Sequence, residues 1–566
     1  MDTHRLKACL LSSLALLVAF ACALPAPAIP ALPPTATAAA PPPTPTSTFT
    51  PAPPPTPADL YLTADDVALY PQPALYSGDL VTFDVTPHNV GEISPDKLTV
   101  RVYHGAPASS TVVAEGVLGY PAFDGIPRAR LVWSWDTTGL VGVEPLTVWV
   151  DPDDVIQTGD EDPANNIATL TVPILPHDEM PAVEAAAGWV TVTTDCCILQ
   201  YLSGTAAERD LPFLTAATAA SVAHVEEQLD ARLPAPFEVH FISRVIGHGG
   251  YACQGLTLSY LDRHYAATNL ETVIRHEAAH VLDRTTSGWS PALITEGLAV
   301  WVAGGHYKPE PLPERAAALV ELGWYIPLEE LANDFYRQQH EIGYMEAGAF
   351  VAYLVETYGW EGFQRLKGAF DAEAGSEAAI LDAALQEAFG VSLSESEGDF
   401  LDWLAVHPPG AENRRDVELT VRFFDAVRAY QQAYDPSAYF LSGWLPDPVE
   451  GARLSIEADF IRHPTTPENI ALETMLIAAR QALERADFGR CQSLLESIER
   501  ALANGISSDP LAASYLAVVQ ATAALGYEAQ RIDLVGKSAR VWATADGPTL
   551  IELTLRATPG GWALSN

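Results

Sequence analysis

Apolar residues change their spacing part-way along this chain, and that change divides it into differently folded parts. Between residues 59 and 176 they alternate with polar residues in short runs. Examples are Leu80-Val81-Thr82-Phe83-Asp84-Val85, Leu98-Thr99-Val100-Arg101-Val102-Tyr103, Leu131-Val132-Trp133-Ser134-Trp135 and Leu146-Thr147-Val148-Trp149-Val150. Period two, punctuated by Gly, Pro and Asp, is the pattern of antiparallel strands in a sandwich. The unit over 184–410 opens with strand patterns at Trp189–Thr194, Phe237–Ser243 and Leu256–Tyr260 and an amphipathic helix over Ala216–Leu233, after which helical spacing dominates. Residues 411–566 continue with helices, including a hairpin of Pro467–Asp487 and Gly489–Ala503, and end in a small sheet built from Ser538–Ala543 and Thr549–Leu555. A chain of 566 residues exceeds one hydrophobic core, and an apolar content of 48% can fill several.

The N-terminal end belongs to none of these units. Arg5 and Lys7 precede an apolar run from Ala8 to Leu24, and Ala21-Cys22-Ala23 offers the small-x-small pattern of signal cleavage, so residues 1–23 read as an export signal. Ala19-Phe20-Ala21-Cys22 also fits a loose bacterial lipobox, which would lipidate Cys22 and anchor the protein to a membrane. Both readings place the mature protein outside the cytoplasm, secreted or on the cell surface. Residues 24–58 carry no charge and are mostly Pro, Thr and Ala, the composition of an extended spacer. The net charge of −41, from 72 acidic and 31 basic side chains, excludes nucleic acid as a partner, because a polyanion releases no counterions from phosphate. Of six cysteines, Cys196, Cys197, Cys253 and Cys491 remain beyond the signal. A bridge from Cys253 to Cys196 or Cys197 is expected, since adjacent cysteines rarely pair with each other.

The chemistry concentrates in His276-Glu277-Ala278-Ala279-His280, which fits H-E-x-x-H. Leu270, Val273, Ile274, Val281 and Leu282 recur at helical spacing over Leu270–Asp283, with Thr268 or Asn269 able to cap the start. Residues four apart share a helix face, so His276 and His280 can grip one ion, with Glu277 placed to act on a water as general base. A catalytic zinc takes three protein ligands and keeps one position open. Ser290 and Pro291 signal the start of a second helix, on which Glu296 lies in the second turn among apolar residues. The short loop of 284–289 lets that helix fold back beside the first, bringing a carboxylate to the two imidazoles. A buried acid there needs a partner, and Zn2+ supplies one.

Two resemblances add to this reading. His88-Asn89-Val90-Gly91, with the acidic tail Asp151-Pro152-Asp153-Asp154, Asp160-Glu161-Asp162 and Asn165-Asn166, resembles the CARDB class of immunoglobulin-like adhesion domains over 59–176. The irregular oxygen spacing in those turns favours solvated acids over a calcium site. The segment Arg275–Gly304, with Glu296-Gly297-Leu298-Ala299, resembles the MA-like zinc peptidases, the gluzincins, whose fold is that of thermolysin. The resemblance implies His276, His280 and Glu296 as zinc ligands, Glu277 as general base and Tyr344, at the start of a later helix, as oxyanion donor. His306 and His340 are rival donors that read more simply as surface histidines, and Asp283 reads as a helix-end acid. It also implies that an edge strand within Gly249–Tyr260 pairs with extended substrate. The G-x-M-E-N motif of the aminopeptidases is not found, which favours cleavage within a peptide over removal of its N-terminal residue.

The resulting expectation is a multidomain chain: an immunoglobulin-like β-sandwich, an α+β thermolysin-like zinc peptidase unit, and a mainly helical C-terminal region with a small β-sheet. Its function reads as an exported zinc-dependent peptidase acting on peptide or protein substrates. The alternative is a non-catalytic surface-binding protein carrying a relic peptidase unit. Oligomeric state leaves no mark in the sequence.

Overall fold

The computed structural model describes residues 58–565, except 91–95, 122, 157–158, 234–235, 246–248, 254, 268, 287 and 546. The export signal with Cys22, and the spacer up to residue 57, lie outside the described residues. Among the described residues no helix is long and apolar enough to cross a membrane.

The period-two segment folds as two facing layers, antiparallel except where the edge strand Leu75–Tyr76 pairs in parallel with Ile167–Leu175. One has three strands in the order Val67–Tyr70, Leu80–Val85, Ala129–Asp136; the other has five, with Ile167–Leu175, Gly142–Val150 and Thr99–His104 at its centre. Along Ile167–Leu175 buried and exposed residues alternate, as a strand with one face on a core requires. Val81, Phe83 and Val85 from one layer meet Val100, Val102, Val148 and Val150 from the other in a single core. The acidic tail serves this fold internally. Asp151 accepts from the Val155 and Ile156 amides at 2.9 Å each, Asp160 from Leu60 N at 3.2 Å and Asn166 Nδ2 at 2.9 Å, and Asp153 pairs with Arg101 at 2.8 Å.

The next unit is a five-stranded sheet. We label its strands β1 (Trp189–Thr193), β2 (Cys197–Leu202), β3 (Phe237–Ile242), β4 (Gly250–Ala252) and β5 (Leu256–Ser259). The order is β1-β2-β3-β5-β4, with β2, β3 and β5 parallel and β4 antiparallel at the edge. Helix α1 (Leu211–Gln228) links β2 to β3. It begins five residues before the expected Ala216, because Pro212 seeds the first turn, and it ends before Asp230, whose φ of 47° is not helical. Then come α2 (Leu270–Thr286) and α3 (Ala292–Ala303), followed by α4 (His340–Gly368), which is interrupted at Gly359.

Helix α3 is wedged between α2 and α4 and is nearly all buried, with Leu293, Ile294, Leu298, Val300 and Val302 at most 2% exposed. Burying each such side chain contributes about 1.5–3 kcal/mol, so hydrophobic packing is the main force that fixes this helix in place. Two glycines permit the crossing. A Cβ on Gly297 would fall 2.5 Å from the Ala347 carbonyl oxygen, and one on Gly348 would fall 2.4 Å from Val300 Cγ1.

The C-terminal region joins α5 (Ala411–Tyr434), past two short helices, to three longer ones: α6 (Pro467–Glu484), α7 (Phe488–Asn504) and α8 (Pro510–Ala524). The expected hairpin is thus α6–α7. Thr466 caps α6 through the Asn469 amide at 3.2 Å, and Asp487 caps α7 through the Arg490 amide at 3.2 Å. A four-stranded antiparallel meander over Glu528–Leu564 closes the chain, two strands larger than the expected sheet. Buried ion pairs tie the units together. Arg462 bonds Asp79 of the sandwich at 2.9 Å, and Arg263 pairs with Glu473 and, at 2.6 Å, with Glu528.

The cysteine expectation needs correcting. Cys196 and Cys197 are joined to each other at the turn into β2, with Cα atoms 3.8 Å apart. Cys491 is a buried free thiol.

Candidate metal centre

Asn269 caps α2, its Oδ1 accepting from the Thr272 amide at 3.1 Å, and the helix runs through the H-E-x-x-H segment to Thr286. The start of α3 differs from the expectation. Pro291, not Ser290, holds the N-cap position with φ −52° and ψ 149°. The Ala292 amide donates instead to Glu377 Oε2 at 2.9 Å, a carboxylate from the distant helix Glu377–Phe389. A proline has no side-chain acceptor, so the cap comes from another element.

These two helices bring His276 Nε2, His280 Nε2 and one oxygen of Glu296 into a nearly equilateral triangle. The separations are 3.1 Å between the imidazoles and 3.2 Å from each to Glu296 Oε2. Each residue is 8% exposed. A tetrahedral zinc with bonds of about 2.0–2.1 Å needs ligand atoms about 3.3 Å apart, so the triangle has the right size and chemistry. Hydrogen bonding alone does not explain it, since two imidazole nitrogens and a carboxylate oxygen offer three electron-pair donors and few protons. Burial works against the Glu296 carboxylate, but His280 and His276 outweigh it and hold its pKa well below the usual value. Burial pushes His276 down to about 4, favouring the neutral, ligating form. Burial works against the charged form of His280 too, but Glu296 and Glu277 outweigh it and raise its pKa, so this imidazole gives up a proton on binding a metal.

Glu277 lies one residue round from the triangle, 7% exposed, with Gly250 of the edge strand β4 against its Cγ. Burial pushes its carboxyl up to about 7, only partly offset by His280. The edge strand expected within Gly249–Tyr260 is therefore at hand: β4 ends the sheet and borders the glutamate.

One feature of the site left no mark in the sequence, and the surface reading of two histidines needs correcting. Tyr336, in the short turn Phe335–Arg337, donates its hydroxyl to the other oxygen of Glu296, Oε1, at 2.8 Å. It belongs to no helix face or motif, so nothing in the pattern of residues could have singled it out. His306 and His340 are not surface histidines. The His306 ring stacks on Tyr344 at 4.2 Å, lies 4.9 Å from the His340 ring and 5.8 Å from the His276 ring, and its Nδ1 bonds Glu341 Oε1 at 2.8 Å. Tyr344 itself is 7% exposed, with its ring 6.0 Å from that of His276. Asp283 is committed elsewhere, in a buried ion pair with Lys367.

No family model matches the chain, and no curated protein does. Among solved structures it is similar to an aminopeptidase N family protein from Idiomarina loihiensis, at 10% identity over 69% of this chain and 77% of that one, with a TM-score of 0.22. A likeness of that size decides nothing about activity.

Proposed function

We propose that the chain is an exported zinc-dependent peptidase that cleaves within peptide chains. The observation that carries this reading is the convergence of His276, His280 and Glu296 at 3.1–3.2 Å beside a buried glutamate and the edge strand of a sheet. Zinc held by those three would supply Lewis acidity toward a carbonyl and an adjacent water. Glu277, its proton affinity raised by burial, takes a proton from the attacking water and returns it to the leaving amine. Strand β4 aligns the substrate backbone by edge pairing, which also suits an extended internal segment better than a chain end. Tyr344 donates to the developing oxyanion, while Tyr336 is occupied in orienting Glu296. Export rests on residues 1–23 and the uncharged spacer.

The test is a mixture of defined peptides incubated with zinc-loaded protein and with Glu277→Gln, new termini being read by mass spectrometry. The expected result is internal cleavage by the wild type, none by the variant, and one zinc per chain in both. Absence of zinc from the wild-type protein would overturn the proposal. Zinc without cleavage of any peptide would favour a binding protein.

A further inference from the structure

The sandwich does not hang free of the metal centre. Its loop between Gly119 and Arg128, which pair as an isolated bridge, reaches across to the segment Tyr439–Gly443 of the C-terminal region. The Phe123 and Asp124 amides both donate to the Leu441 carbonyl, at 3.1 and 3.2 Å. Arg128 Nη1 donates to the Ser442 carbonyl at 3.3 Å, and Arg130 Nη2 to the same oxygen at 3.2 Å. From the site unit, Arg337 Nη2 donates to the Asp124 carbonyl at 3.2 Å. Four of these bonds, those at Phe123, Asp124 and Arg128, tie the loop's own residues to the other two parts of the chain.

What the loop presents is an aromatic ring. Phe123 lies 4.7 Å from the Tyr336 ring and is stacked 5.5 Å from Phe440. Tyr336 bonds Glu296, and Phe440 lies 4.9 Å from the ring of His340, which is itself 4.5 Å from Tyr344. The three rings thus form a wall one side chain removed from the metal triangle. Each ring comes from a different part of the chain. A ring recruited only to fill a core would be covered, yet Phe123 is 36% exposed and Tyr336 and Phe440 are partly so. Rigidly held, solvent-accessible aromatic surface beside reacting groups is what recognition of an apolar side chain requires, and ligand sites favour such junctions between domains.

We propose that Phe123, Phe440 and Tyr336 form a specificity subsite for an aromatic or large aliphatic side chain of the substrate, and that the sandwich serves the site through Phe123. This inference rests on the peptidase reading above. Because Phe123 stands on the sandwich, it can be changed without touching the metal ligands or the base.

The experiment uses full-length, zinc-loaded protein and blocked peptides identical except for one residue, which is Phe, Leu, Ala or Glu. The expected result is a preference for Phe and Leu that falls on the order of tenfold in the Phe-to-Ala ratio of kcat/KM for Phe123→Ala, the scale of a lost apolar contact. Phe123→Trp should retain the preference, and Phe440→Ala should reduce it. A loss shared equally by all peptides would mean that the loop only supports the fold and would overturn the proposal. An equal gain for all would do the same, by showing a cover instead of a subsite. If the wild type holds zinc but cuts none of the peptides, the peptidase reading fails separately. The subsite is then judged by calorimetric titration of Glu277→Gln with the Phe and Ala peptides. Binding that prefers Phe only when Phe123 is present supports it; binding without preference, or no binding, refutes it.

Discussion

Replacing Gly297 by alanine should loosen the helix pair that positions Glu296. The added Cβ would sit 2.5 Å from the Ala347 oxygen, 2.8 Å from the Ala347 carbonyl carbon and 2.9 Å from Val351 Cγ2. Carbon atoms rest at about 3.5 Å or more, so α3 and α4 must separate by roughly 0.7 Å. Two of the three atoms belong to the backbone of a buried helix and cannot rotate away. The cost therefore falls near the top of the range of about 1–3 kcal/mol for overpacking. Alanine recovers about 1 kcal/mol of helix propensity over glycine, leaving a net loss of about 2 kcal/mol. The control is Gly398→Ala, in the exposed part of the helix Leu393–Ala405, where nothing lies within 4 Å of the new Cβ. There only the propensity gain remains, and stability should rise by about 0.5–1 kcal/mol. Urea unfolding measures both, with hydrogen exchange of peptides covering Ala292–Ala303 as the local readout. Because Glu296 precedes Gly297, zinc affinity in competition with a chelator should fall as well, on the order of tenfold. If Gly297→Ala raises the urea midpoint as Gly398→Ala does, and leaves exchange in α3 unchanged, the close-packing argument is wrong.

Three further outcomes follow from particular contacts. Tyr336→Phe removes the bond to Glu296 Oε1 and should weaken zinc binding roughly 10- to 100-fold without unfolding the protein, measured by chelator competition and circular dichroism. His240 on β3 is 2% exposed, and burial pushes its pKa down to about 4 against 6.5 for a free histidine. A lowered histidine contributes stability that is present above pH 6.5 and is lost as pH falls from there through 4, up to about 3 kcal/mol in all. His240→Gln should flatten that slope in urea midpoints taken across this window. Arg263, 1% exposed between Glu473 and Glu528, should cost about 3–5 kcal/mol when replaced by Met, because Glu473 is left buried and unpaired. Adding Glu473→Leu should restore part of the loss in thermal melting.

Local patterns were legible where one element's own residues decide its form. Alternation marked the sandwich strands, helical spacing marked α2, and the i, i+4 histidines placed two imidazoles on one face. Boundaries failed where a remote group made the decision. Ser290 has the chemistry of a cap, yet the cap at α3 is Glu377, 85 residues away. The pairing of Cys196 with Cys197 went against a rule about adjacent cysteines that sequence could not override.

The sequence alone determined which residues could meet a metal, because His276, Glu277 and His280 are bound together by helix geometry and Glu296 by a short loop to the next helix. Only the tertiary structure decided what surrounds them. Tyr336 behind Glu296, His306 and His340 around Tyr344, and Phe123 from the sandwich arrive from segments up to about 200 residues apart in sequence. Their approach is set by how buried helices and clamped loops pack against one another. The physical reason is the range of the forces: backbone periodicity acts over a few residues and is written locally, whereas packing and desolvation depend on whatever the fold brings close.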